Sequence, residues 1–140
     1  MPTAPVIGVD LGGTAIKLAR IRADGTVLAE AQCPTPQPAV PGAVTMALCE
    51  AIEQIDPEHA AEAVGIGLPG PMDAAARVAR VCINLPGWED VPLADWLESR
   101  LNRRVTLAND GNCAVVGEAW LGAARGVDAV SYTHLRAHET

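Results

Sequence analysis

The chain has 140 residues, 49% of them hydrophobic, with a net charge of −7 and a pI near 4.8. That length fits one domain with a substantial core. The acidic balance excludes the basic footprint of a nucleic-acid binder, and no apolar run approaches the roughly 18 residues of a membrane span. MPTAPVIGVD carries neither a basic n-region nor an h-region, so a cytoplasmic protein is expected.

The first structured stretch, Val6 to Lys17, reads VIGVDLGGTAIK. An apolar run ends on Asp10, breaks at Gly12-Gly13 and resumes as a second β-branched run. This predicts strand, tight turn, strand. Glycines there tolerate positive φ and let a polyanion approach the backbone. Their amides and the Thr14 hydroxyl are donors suited to phosphate oxygens. Asp10 suits Mg²⁺, directly or through water, because that cation prefers carboxylate and water oxygens. Lys17 is the only lysine in the chain. An edge hairpin with a convenient Gly-Gly turn explains the same residues, and neither standard nucleotide-loop pattern is present.

Ala15 to Arg22 is expected as the second strand. Asp24-Gly25 then turns the chain into a third strand, Thr26 to Gln32. Cys33 to Pro41 holds four prolines and reads as a crossover. Gly42 to Ile55 follows a 3.6-residue period and is expected as the first helix, ended by Asp56-Pro57. AVGIGL, Ala63 to Leu68, reads as a strand buried on both faces. Arg77 to Ile83 suggests a short strand, and Asn84 to Trp88 a loop. Leu93, Trp96, Leu97 and Leu101 mark a second helix. Arg103 to Ala108 is the next strand, and Cys113 to Ala124 a third helix before Gly126. The order β-β-β-α-β-(β)-α-β-α predicts an α/β mixed sheet with helices on both faces.

Loops leave the strand ends at Asp10–Thr14, Pro69-Gly70-Pro71 and Asn109-Asp110-Gly111-Asn112. Ligands of open α/β sheets sit outside such ends, so Asp10 and Asp110 are expected to face one cleft. Asp110 has two readings. It caps the following helix, or it takes the proton of a hydroxyl attacking a γ-phosphate, a reaction that relies on positioning and electrostatics. Asn109 offers a donor and an acceptor to a pair of sugar hydroxyls. Cys33, Cys49, Cys82 and Cys113 are far apart and read as small core residues.

VDLGGTAIK, GIGLPGPMD, NLPGWEDVPL and LANDGNCAVVGEAWLGAARG, in this order, together resemble the N-terminal domain of a ROK-family sugar kinase, close to the bacterial glucokinases. The resemblance covers about Val6 to Val130 and implies the actin-like ATPase (ribonuclease H-like) fold. It implies ATP-dependent phosphorylation of a hexose, glucose before others, in a cleft between two domains. Asp10, Gly12, Gly13, Thr14 and Lys17 match the phosphate motif, with Asp10 also on Mg²⁺. Asp110 matches the catalytic base and Asn109 the sugar-hydroxyl contact, while Gly70 and Asn84 fall in loops bordering the sugar. Glu118 matches a glutamate of the helix motif, and Trp88 either walls the sugar cleft or packs on a proline.

The same resemblance implies a second domain with a Cys/His zinc cluster and the adenosine site, neither of which these residues carry. It also implies a homodimeric full-length protein. The fragment alone is expected to be inactive, with residues 1–130 forming the kinase domain. Residues 131–140, SYTHLRAHET, break sharply from the preceding composition. They resemble a translated adapter and are expected to be a non-native tail. A sugar-responsive ROK regulator and a non-catalytic sugar-binding module are the alternatives.

Overall fold

The computed structural model describes residues 4–82 and 85–109. Five strands form the main sheet: β1 (Val6–Leu11), β2 (Ala15–Ile21), β3 (Val27–Pro34), β4 (Ala63–Leu68) and β7 (Arg104–Asn109). Their order is β3-β2-β1-β4-β7. β1, β2 and β3 run antiparallel, and β1, β4 and β7 are parallel. The sheet is thus mixed, with the expected meander on one side and the strand–helix alternation on the other.

Strand alternation separates two faces. Ile7, Val9 and Leu11 join Ile16, Leu18, Val64, Ile66, Leu68, Val105 and Leu107 in one core. Helix α1 (Pro41–Ile55) covers this core with Val44, Leu48 and Ile52, and α2 (Leu93–Leu101) with Leu93, Leu97 and Leu101. The two helices touch one another and lie over this one face. The helix expected at Cys113–Ala124 lies outside the described residues. On that second face Val6, Ala19, Ile21 and Ala63 form a small separate cluster. No helix among the described residues is long and apolar enough to cross a membrane.

The elements end for identifiable reasons. Gly25 at φ 94° completes the Asp-Gly turn, and the Asp24 carboxylate accepts from the Thr26 amide. α1 begins one residue before expectation because Pro41 occupies its first turn, where a missing N–H costs nothing. Asn102, in the left-handed region at φ 55°, closes α2 by donating its N–H to the Glu98 carbonyl, a C-cap role that asparagine tolerates.

Two differences from the sequence expectation stand out. β3 runs on to Pro34, which an edge strand accepts because its outer N–H positions need no partner. The short strand expected between Arg77 and Ile83 is β5 (Ala79–Val81), and it pairs with an unexpected β6 (Glu89–Val91) in a separate two-stranded sheet. Arg77 fixes this region to the domain. Its guanidinium donates to Asp95 and Glu98 of α2 and to the Val105 carbonyl of β7.

A buried ionic hub joins three elements. The Asp56 carboxylate, just past α1, is fully buried and accepts from the Ala60 and Ala61 amides at 3.0 and 2.9 Å. It also pairs with Arg103 at 3.0 Å and Arg20 at 3.4 Å. Burial opposes its charge, but the two amides and the two guanidiniums outweigh that and hold the carboxyl below the usual range. Cys82 is part of the core and Cys33 and Cys49 pack partly buried against it, while Cys113 lies outside the described residues. Burial raises Cys49 and pushes Cys82 up to about 11, so neither is a ready thiolate.

Candidate functional site

The parallel strands deliver the candidate residues to one end of the sheet. In register, Asp10 of β1 stands beside Gly67 of β4, which stands beside Ala108 of β7, with Leu68 beside Asn109 one step further. Two strand spacings put the backbone of Asp10 roughly 10 Å from that of β7. β4 lies between the two, so Asp10 and Asn109 end neighbouring but distinct strands at the same end of the sheet. Asn84 and Asp110 lie outside the described residues, as do Glu118 and the side chain of Asn109.

On the β2 side, Lys17 pairs with Asp10 in the antiparallel register, so the two side chains leave the same face. Lys17 is exposed and makes no ion pair among the described residues. Between them lies the turn. The Gly12 N–H donates to the Ala15 carbonyl at 3.0 Å, leaving a two-residue loop of Gly13 and Thr14. Neither glycine lies in the left-handed region, which corrects the expectation that they serve positive φ. Gly12 is needed for space: a Cβ there would sit 2.9 Å from the Ala15 oxygen. A Cβ on Gly13 would meet nothing within 4 Å, so its outer side is open to an approaching ligand.

The turn's carbonyls are all taken from behind. The Thr35 hydroxyl donates to the Gly12 oxygen at 2.7 Å, the Gln37 amide to the Gly13 oxygen at 2.9 Å, and the Thr35 N–H to the Thr14 oxygen at 3.0 Å. Among the described residues the Gly13 and Thr14 amides and the Thr14 hydroxyl make no hydrogen bond. Thr35 and Gln37 were missed in the sequence, where they are two polar residues in a proline-rich crossover with no periodicity to mark them.

At the other border, Gly70 is buried, and a Cβ there would come within 1.9 Å of the Val81 oxygen. Its glycine is required by β5 crossing above it. Gly70→Ala is expected to displace β5 and cost about 1–3 kcal/mol, the usual range for overpacking. A chemical unfolding curve that matches the wild type would contradict this. Trp88 is core: it is 3% exposed, and its Nε1 donates to the Ala39 carbonyl at 2.8 Å. The packing reading of Trp88 therefore holds over the cleft-wall reading.

A protein-family model described as the ROK family matches residues 6–136. The chain belongs to the ROK family. Among ROK relatives, it is 38% identical to the glucokinase of Thermotoga maritima over 130 residues, which is 93% of this chain and 41% of that protein. A ROK glucokinase from Streptomyces griseus, solved in complex with glucose and AMPPNP, superposes with a TM-score of 0.73. It is 34% identical, over 87% of this chain and 38% of the other. A polyphosphate/ATP glucomannokinase from Arthrobacter sp. strain KM gives 0.71 at 32% identity, over 89% and 51%. This ROK chain thus spans about two-fifths of the length of the curated relatives it matches. Its mixed sheet is that of the actin-like ATPase fold shared by the ROK sugar kinases.

Asp10 is the metal-binding candidate of the sequence, and no group of three or more His, Cys, Asp or Glu that could hold a metal occurs among the described residues. That donor set suits Mg²⁺, which keeps several waters and takes one or two carboxylates beside substrate phosphates. It does not suit a protein cage.

Proposed function

We propose that this chain is the N-terminal domain, residues 1–130, of a kinase that transfers the γ-phosphoryl group of ATP to a hexose. Glucose is the first choice of acceptor and glucose 6-phosphate the product. The observation carrying this reading is the Gly13-Thr14 turn, with its carbonyls tied back and its donors outward, beside Asp10 at the ends of three parallel strands. The ROK glucokinase relatives support it from a separate direction.

In this reading the amides of Gly13 and Thr14, the Thr14 hydroxyl and Lys17 hold the phosphate tail, and Gly12 keeps the turn tight. Asp10 holds Mg²⁺ directly or through water, and the ion when bound neutralises charge on the phosphate oxygens. Gly70 and Asn84 border the sugar, and Asn109 hydrogen-bonds two of its hydroxyls. Asp110 accepts the proton of the attacking hydroxyl as its oxygen bonds to the γ-phosphorus. The bond from that phosphorus to the bridging oxygen breaks, and ADP leaves with the electron pair. Positioning and electrostatics supply most of the catalysis in such a transfer.

The test is sugar-dependent consumption of ATP, and separately of polyphosphate, by the complete reading frame containing these residues. Glucose, mannose, fructose and the N-acetylated hexosamines serve as acceptors, and this chain alone runs in parallel. Turnover of glucose by the complete protein and none by the 140-residue chain is the expected result. A folded complete protein that binds sugar but never consumes a phosphoryl donor overturns the reading in favour of a sugar-sensing regulator or binding module.

A further inference from the structure

We infer that Thr35 and Gln37 are positioning residues for phosphoryl-donor binding, which act by aiming the amides of the Gly13-Thr14 turn. The inference rests on the kinase reading above for what is bound. The aiming itself rests on peptide geometry. A trans peptide is planar, with its C=O and N–H pointing in opposite directions. The Gly12 carbonyl shares a peptide with the Gly13 N–H, and the Gly13 carbonyl shares one with the Thr14 N–H. Thr35 captures the first carbonyl and Gln37 the second, both from the β3 side. The two N–H groups are thereby turned away from β3, out of the hairpin's own hydrogen bonding.

The turn requires outside support. Two-residue hairpin loops favour types I′ and II′, whose twist matches the strands and which place at least one central residue at positive φ. Neither Gly13 nor Thr14 is there, so the loop lacks that intrinsic fit. Thr35 supplies two bonds, from its hydroxyl to Gly12 and its N–H to Thr14, and is itself 3% exposed. Gln37 bridges the Gly13 carbonyl to the Thr35 carbonyl, 2.9 and 3.3 Å from its Nε2. The brace thus combines a buried anchor and an exposed strap on the extension of β3. Removing either frees a carbonyl to swing toward the phosphates, where its partial negative charge repels them.

The test uses Gln37→Leu, Gln37→Glu, Thr35→Val and Thr35→Ser in the complete protein. Steady-state kinetics give KM separately for ATP and sugar, and calorimetry gives Kd for Mg-ATP and Mg-tripolyphosphate. Gln37→Leu and Thr35→Val are expected to raise KM and Kd for the phosphate ligands about five- to tenfold, the scale of one lost hydrogen bond. Sugar KM stays constant. Gln37→Glu, which adds a negative charge, is expected to be worse than Gln37→Leu. Thr35→Ser, which keeps the hydroxyl, restores binding.

A merely structural role would lower Tm and the active fraction with phosphate affinity unchanged. That outcome, in folded Gln37→Leu, overturns the inference, and the exposed position of Gln37 keeps this variant folded if Thr35→Val is not. If the wild type turns over no sugar yet binds the phosphate ligands, the kinase reading fails and the calorimetry alone decides the brace. If it binds none of them, both fall.

Discussion

Asp56→Ala is expected to lower stability by about 3–5 kcal/mol, the range for removing one partner of a buried ion pair. The substitution strips a fully buried carboxylate from two guanidiniums and two amides. Arg103, whose side chain is 3% exposed, would be left with a poorly compensated charge. Its remaining carboxylate partner, Glu53, is 3.3 Å away and half exposed. Asp56 ties the end of α1 to β2 through Arg20 and to the start of β7 through Arg103. Loss of the hub therefore loosens the strand that leads to Asn109. Urea unfolding followed by tryptophan fluorescence measures the effect, and a loss under about 1 kcal/mol, the scale of a surface pair, would contradict a buried hub.

The pH dependence has a definite sign. The folded carboxyl of Asp56 titrates below its unfolded value of about 3.9, so its stabilisation is fully present above that value. It is lost as pH falls through the lower folded pKa. Asp73 and Glu98 are shifted the same way, so the diagnostic quantity is the difference between wild type and Asp56→Asn. That difference should shrink as the medium is acidified below about pH 4.

Asp110→Asn is expected to lower kcat by about 10²–10⁴-fold, the range of general-base catalysis, with sugar binding nearly unchanged. This substitution separates the two readings of the residue. Asparagine caps a helix N-terminus as well as aspartate does, so a residue that only caps would tolerate the change. A base would not, because the amide cannot take the proton of the attacking hydroxyl. The measurement is kcat together with sugar Kd in the complete protein. Retention of half or more of the wild-type turnover would return Asp110 to the capping role.

How much was legible depended on whether a residue's role repeats. Ile7, Val9 and Leu11 alternate, Val44, Leu48 and Ile52 recur with helical spacing, and AVGIGL is a continuous run. Periodic burial of that kind placed β1, α1 and β4 within a residue or two. β6 was invisible because three residues, two of them acidic and exposed, leave no pattern. Asp56 reads in the sequence as a helix terminator, which it is, but its burial depends on Arg20 and Arg103, which are remote in sequence. The Gly-Gly turn stands where the sequence puts it, but without the positive φ, because close approach and positive φ both select glycine and a sequence does not separate them. The Thr35 and Gln37 brace had no local signature at all.

Lys17, the sole lysine and exposed on the rung opposite Asp10, makes this end of the sheet chemically addressable. Apart from the α-amino group, an amine-directed reagent finds one side chain in these 140 residues. A fluorophore or spin label installed there without any engineered cysteine would report from beside the Gly13-Thr14 turn itself.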